Sequence, residues 1–174
     1  MCTYELTFRP ATACEADEVL ALYQSVKGHG TCVWDDDYPT MREIAHDLET
    51  GNLYVLSDGC QIIGTISIVP ENELDDQDCF VCRDGSQREI ARIAVRREWR
   101  GYGLAGQMVE RIADRLRNEG CHAIHLSAAS ANVPALKTYR KIGFCKAGEA
   151  YLYGGLYSLL ELDLTAWNVE GAST

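Results

Sequence analysis

The densest chemistry in the chain lies in Arg96–Gly106, RREWRGYGLAG, where three arginines and three glycines share eleven positions. It follows the apolar run REIARIAV and opens the helical pattern LAGQMVERIADRLRNEG. The first turn of a helix leaves backbone N–H groups without intrahelical partners, and the helix dipole favours negative charge there. Glycine lets the backbone approach a phosphate closely. Arg100 adds a charge-assisted donor. Residues 101 to 106 therefore suit a pyrophosphate. A second stretch, Cys79–Cys82 (CFVC), has the spacing of a metal or thiol–disulfide site. A zinc ribbon needs a second such pair, which the sequence lacks, and a redox pair of the thioredoxin type opens a helix after a strand, whereas this one follows an acidic loop. The eight cysteines read as reduced thiols, several packed as small apolar residues, and no metal is implied.

Several ligands compete for the glycine turn. Gly101–Gly106, GYGLAG, fits G-x-G-x-x-G literally. A dinucleotide site of that form sits straight after the first strand of a βαβ unit, with an acid about 20 residues later. Here the polar RREWR intervenes, the motif lies past mid-chain, and the next strand pattern ends in HLSA. A Walker A loop needs Gly-Lys-Ser/Thr, which is absent. The pyrophosphate of CoA remains, beside a turn that binds nothing.

The elements that must hold this turn are legible along the chain. Thr3–Arg9 alternates as a strand. Thr12–Glu15 has the form of a capping box before the helical ADEVLALYQSVK. Residues 28–40 read as a loop, and MREIAHDLETG as a short helix closed by Gly51. Leu53–Ser57 and Gln61–Val69 read as a hairpin through Asp58-Gly59. An acidic loop, Glu71–Asp78, leads to an edge strand at Cys79–Cys82, and Glu89–Val95 is the strand before the turn. The helix after it carries Ala105, Met108, Val109, Ile112 and Leu116 as its apolar stripe and stops at Gly120. His122–Ala128 is a further strand. Asn132 caps a helix with Pro134 in its first turn and Gly143 as its stop. The tail reads as an antiparallel strand pair, which can complete the sheet of one chain or be exchanged within a homodimer. The order β-α-α-β-β-β-α-β-α-β-β predicts a mixed α/β sheet in one domain across residues 1–174.

Bulk properties narrow the class. A hydrophobic fraction of 47% with 24% charged residues belongs to a soluble globular chain. The net charge of −10 argues against a general nucleic-acid partner, which needs a basic face. No apolar run reaches the roughly 20 residues of a membrane helix, so no membrane partner is expected. The N-terminal MCTYELTFRP shows no secretory pattern, and the expected location is cytoplasmic.

Taken together, IARIAVRREWRGYGLAGQMVERI and ANVPALKTYRKIGF (Ala131–Phe144) resemble the two signature segments of the GNAT superfamily of N-acyltransferases. The family's Arg/Gln-x-x-Gly-x-Gly/Ala reads here as Arg100-Gly101-Tyr102-Gly103-Leu104-Ala105. The second segment matches Asn-…-Ala-…-Tyr-…-Gly-Phe, Arg9-Pro10 fits the family's entry, and the likeness runs over nearly the whole chain. It implies a mostly antiparallel sheet with a splayed central parallel strand pair, and acetyl-CoA as co-substrate. Ile93, Ala94 and Val95 would then pair with the pantetheine arm, with a backbone N–H at Val95 polarising the thioester carbonyl. Arg100, Gly101, Tyr102, Gly103, Leu104, Ala105 and Gly106 would hold the pyrophosphate, and Asn132 would lie near the arm as well as capping its helix.

The implied reaction is acetyl transfer to a primary amine of a small molecule or peptide, directly within a ternary complex. An amine of pKa about 10 must lose a proton before it attacks, and the leaving thiolate gains from an acid. The resemblance gives the acid role to Tyr139 and the base role to Glu89. In the branch that acetylates ribosomal protein N-termini the base lies on the next strand, at the position of Ser127, which cannot serve. His125 shares a strand face with Ser127 and is a reserve base. The loop holding Trp34, Asp35, Asp36, Asp37 and Tyr38 offers aromatic rings and carboxylates to a cationic amine, with Trp34 and Tyr38 as candidate substrate contacts. A non-catalytic acyl-CoA-binding or sensing module is the alternative from another class.

Overall fold

The computed structural model describes residues 5–69, 74 and 76–167. Among these, the elements run β1 (Thr7–Pro10), α1 (Ala16–Val26), α2 (Met41–Glu49), β2 (Leu53–Ser57), β3 (Ile62–Val69), β4 (Gln87–Val95), α3 (Leu104–Asn118), β5 (Ala123–Ala129), α4 (Val133–Ile142), β6 (Cys145–Leu152) and β7 (Gly155–Asp163). This is the expected order. Hydrogen-bonded neighbours follow β1-β2-β3-β4-β5-β7-β6. β4 and β5 are parallel, through only three residue pairs that end at Glu89 and His125. The pairs β1–β2, β2–β3, β5–β7 and β6–β7 are antiparallel. The start of the first expected strand, Thr3 and Tyr4, and half of the acidic loop Glu71–Asp78 lie outside the described residues.

The chain divides into two compact units, one drawn from the first 70 residues and Ile90–Met108, the other from Glu71–Glu89 and the chain from Val109 onward. In the first, Val19, Leu22, Tyr23 and Val26 of α1 pack with Ile44, Leu53, Val55, Ile62 and Ala94 into one core. Local chemistry fixes its helices. The Glu15 carboxylate accepts from the Thr12 N–H at 2.7 Å and the Thr12 hydroxyl at 2.8 Å just ahead of α1. Arg9 adds bonds to both Glu15 oxygens, at 2.6 and 3.0 Å. α2 has its own capping box, with Glu43 accepting from the Thr40 N–H at 2.8 Å. In the β2–β3 hairpin, Asp58 accepts from the N–H groups of Cys60 and Gln61, both at 2.9 Å, and Gly59 takes a φ of +89°.

In the second unit, β5 and β7 pair over seven residues from Ala123–Asp163 to Ala129–Tyr157. α4 is capped by Asn132, whose side chain accepts from Ala135 N–H at 3.3 Å, and closed by Gly143 at φ +115°. The apolar stripe of α3 uses Leu104 and Ala113 with Met108, Val109, Ile112 and Leu116. Ala105, expected in that stripe, is half-buried. The expected edge strand at Cys79–Cys82 does not form; the segment is turn and loop. Its backbone is held by a side chain: the Glu161 carboxylate accepts from Val81 N–H at 3.1 Å and Cys82 N–H at 3.0 Å. Cys79 sits against Gly148, where an added Cβ would meet its side chain at 2.9 Å.

Candidate active site

The first unit carries the glycine turn. A 3-10 turn, Arg97–Trp99, leads from β4 into it. Gly101 and Gly103 have φ of +86° and +74°, left-handed values that L side chains avoid, while the space around both is open. Glycine is required here for conformation. Gly103 C=O accepts from Gln107 N–H at 3.1 Å, opening the ladder of α3, so the first N–H groups of that helix point back toward the turn. The strand end and the turn are tied, since Arg100 Nε donates to Val95 C=O at 3.2 Å. Arg96 anchors the other side through its N–H to Ile63 C=O at 2.8 Å and its Nε to Ile62 C=O at 2.6 Å. Ala94, Val95 and Leu104 are buried, Ile93, Ala105 and Gly106 half-buried, and Arg100, Gly101, Tyr102 and Gly103 exposed. Leu104 thus offers only its backbone to a ligand. Gly64 seats the start of α3: a Cβ there would come within 3.0 Å of the Met108 side chain and 3.3 Å of Ala94 C=O.

The candidate acceptor residues are in the same unit. Trp34 packs edge-on against Tyr23, centroids 5.2 Å apart, and anchors its loop on the core. The Tyr38 hydroxyl is 3.1 Å from Arg92 Nη1. Arg92 and its partner Asp47 were not visible as a pair in the sequence, because they are 45 positions apart. Arg92 Nη2 and Nε donate to the two Asp47 oxygens at 2.7 and 2.9 Å, and Ser67 donates to Asp47 at 2.6 Å. Arg92 and Asp47 are only 9% and 1% exposed. Burial works against the Arg92 charge, but its hydrogen bonds to Asp47 hold its pKa above the ordinary value. Arg92 also takes a φ of +51° within β4. An arginine inside an otherwise apolar strand pattern was the one available signal.

The second unit carries the candidate proton-transfer groups. Tyr139 lies buried on α4, its ring tilted against Phe144 at 5.9 Å. Burial pushes its hydroxyl up to about 12, so the phenol stays protonated at neutral pH. Asn132 caps the same helix, about two turns ahead of Tyr139. Glu89 is buried and is the last β4 residue paired with β5, opposite His125. His125 is buried too; its Nε2 lies 2.8 Å from Glu161 Oε2, and Phe80 stacks on its ring at 3.8 Å. The residue pair His125–Glu161 was missed, since their encounter depends on strand register. CFVC thus does packing work: Phe80 covers an imidazole and the next two N–H groups hold a carboxylate. No group of three or more metal-ligating side chains gathers among the described residues.

A family model for the acetyltransferase (GNAT) family matches residues 17–144, and the chain belongs to that family. The match takes in residues of both units. A curated relative, the N-alpha-acetyltransferase MAK3 of Arabidopsis thaliana, is 33% identical over 79 residues, 42% of this chain and 42% of that protein. The match thus spans less than half of the relative's length. Among solved structures, yncA of Salmonella typhimurium with acetyl-CoA superposes at TM-score 0.73, with 18% identity over 97% of this chain and 99% of that one. A GNAT-family acetyltransferase of Streptococcus agalactiae superposes at TM-score 0.77, with 18% identity, 91% of this chain and 95% of that one. At these identities the likeness is one of fold.

Proposed function

We propose that the chain is a single acetyltransferase domain moving an acetyl group from acetyl-CoA to a primary amine by direct transfer in a ternary complex. The observation that carries this reading is the pair of left-handed glycines at 101 and 103 opening α3 in a chain of the GNAT family. In this reading, the N–H groups of residues 101–106 and the Arg100 side chain hold the pyrophosphate. Ile93, Ala94 and Val95 bind the pantetheine arm, and the Val95 N–H donates to the carbonyl oxygen as negative charge develops on it. Asn132 contributes beside the arm. Glu89 takes the proton from the acceptor ammonium. Tyr139 gives its proton to the leaving sulfur, and its raised pKa suits a donor that must stay protonated until a thiolate forms.

The acceptor is a small-molecule or peptide amine, with Tyr38 and the loop anchored by Trp34 as its candidate contacts. The name of the Arabidopsis relative puts peptide α-amines first in a screen. An α-amino group has a pKa near 8, so it asks less of its base than a lysine does. No helix of the described residues is long and apolar enough to cross a membrane, and we place the activity in the cytoplasm.

Thermal melting with acetyl-CoA, CoA and NAD in parallel tests the cofactor assignment. A ligand at 100 times its Kd stabilises by about 2.7 kcal/mol, so both CoA species should raise Tm by several degrees and NAD should not. A chain that ignores acetyl-CoA would contradict the reading.

A further inference from the structure

Three strands of the second unit bring ionisable side chains into one line. Glu89 stands opposite His125 in the β4–β5 register, and His125 stands opposite Glu161 in the β5–β7 register. Directly opposed residues project from the same face, on strands about 4.8 Å apart. The outer step is a hydrogen bond, His125 Nε2 to Glu161 Oε2 at 2.8 Å. Phe80 lies flat on the imidazole at 3.8 Å and 9°, shielding one face. Glu89 and His125 are only 4% and 1% exposed. At the other end, Glu161 lines a cavity of about 770 Å³, together with His122, Cys145 and Asp163; those three are exposed. A buried carboxylate thus stands in register beside a buried imidazole, and that imidazole is bonded to a carboxylate at the edge of solvent; the inner step is one of register, the outer one a hydrogen bond.

We propose that this row is the proton exit of the acetyl transfer. The proposal rests on Glu89 as the base. Glu89 takes a proton from the acceptor ammonium and, by turning its carboxyl toward its register neighbour, passes it to the second ring nitrogen of His125. The imidazolium gives its Nε2 proton to Glu161, and Glu161 gives it to water in the cavity. Meanwhile the C–N bond forms, the C–S bond breaks, the thiolate takes the Tyr139 proton, and the phenolate takes the second proton from the newly acylated nitrogen, which leaves a neutral amide and restores Tyr139. Once product has left, the inner proton of His125 returns through Glu89 to water, and Nε2 is reprotonated from the cavity, which restores the tautomer. The row lets Glu89 shed its proton while substrate still covers it.

His125 and Glu161 touch no substrate; they are positioning residues that act through Glu89. The titratable groups in line with His125 are Glu89 from β4 and Glu161 from β7, with Cys145 one strand further on β6. The loop adds the Phe80 ring and the two N–H groups that fix Glu161. Those N–H bonds make Glu161→Gln the informative change, because the amide keeps an acceptor oxygen and the side-chain size but carries no proton onward.

The test is the rate of CoA release by the full chain with acetyl-CoA and an accepted amine, over pH 6–9, at low and high imidazole. Wild type, Glu89→Gln, His125→Gln and Glu161→Gln are compared, with acetyl-CoA Kd and Tm measured for each. Glu161→Gln should lose on the order of tenfold in kcat at low imidazole, a fraction of what a general base supplies. It should keep its acetyl-CoA Kd and recover as imidazole enters the cavity, while wild type stays insensitive to imidazole. His125→Gln should show the same loss at low imidazole. A Glu161→Gln enzyme at the wild-type rate, or slowed alike at every imidazole concentration with a lowered Tm, overturns the exit row while an inactive Glu89→Gln leaves the base in place. Glu89→Gln at the wild-type rate overturns the base itself, and the row with it.

Discussion

The glycine turn and the Glu89–His125–Glu161 row make opposite use of the chain. The turn is local: eleven consecutive residues supply it, its key glycines stand in open space, and its donors are backbone groups. The row is assembled from three strands, its two inner members are buried, and its chemistry lies wholly in side chains. A backbone cradle depends on φ angles and helix direction, so it tolerates exposure and needs no partner from elsewhere in the chain. A proton-carrying row depends on register and on shielding from water. Binding and proton transfer should therefore separate cleanly under mutation: changes in the turn should move acetyl-CoA affinity, and changes in the row should move kcat and the pH profile.

Four substitutions sharpen or break that separation. The largest effect expected is on stability, from Asp47→Ala, which leaves the Arg92 guanidinium buried without its carboxylate. Removing one partner of a buried ion pair costs about 3–5 kcal/mol, so urea denaturation should show a much lower midpoint or no folded protein. An unchanged midpoint would mean that the pair is solvated. Next come Tyr139→Phe and Glu89→Gln, each expected to lower kcat by about 100-fold or more, at least 2.7 kcal/mol of barrier, with acetyl-CoA Kd kept. Loss of binding in either would place the residue in the cradle instead. Gly103→Ala forces an L side chain to φ +74°. Its cost of about 1–2 kcal/mol should appear as weaker acetyl-CoA binding by isothermal titration, with kcat at saturation little changed.

The smallest effect is electrostatic. Hydrogen bonds from Arg9, then from the Thr12 N–H and hydroxyl, hold the Glu15 carboxylate down to about 2, against an ordinary 4.5. A depressed folded pKa contributes stability above pH 4.5 and loses it as pH falls toward 2. Glu15→Gln should therefore melt lower than wild type at neutral pH, by an amount typical of surface pairs, about 1 kcal/mol or less. The two melting curves should converge below pH 3, as measured by circular dichroism; a constant gap would mean that the difference is packing.

How much was legible in the sequence follows from the same contrast. The helices of α1 and α4, the Asp58-Gly59 hairpin and the glycine turn declare themselves because each depends on residues within about four positions of one another. The Arg92–Asp47 pair and the His125–Glu161 pair do not, since 45 and 36 positions separate their members. CFVC was misread as an edge strand because its apolar residues suit one. In the fold, the carboxylate of Glu161 takes the N–H groups a strand partner would have taken, and Gly148 leaves room for Cys79. The α2 capping box is equally local, Thr40-x-x-Glu43, and marks the start of that helix as Gly51 marks its end.

The most direct test of the account is release of CoA from acetyl-CoA by the purified chain, with peptides bearing free α-amines and small primary amines as acceptors, alongside mass spectrometry of each acceptor. The account predicts CoA and acetylated amine in equal amounts for at least one acceptor class, with the signal lost in Glu89→Gln. Tight acetyl-CoA binding with no CoA release across both classes would contradict it and leave an acyl-CoA-binding module in its place.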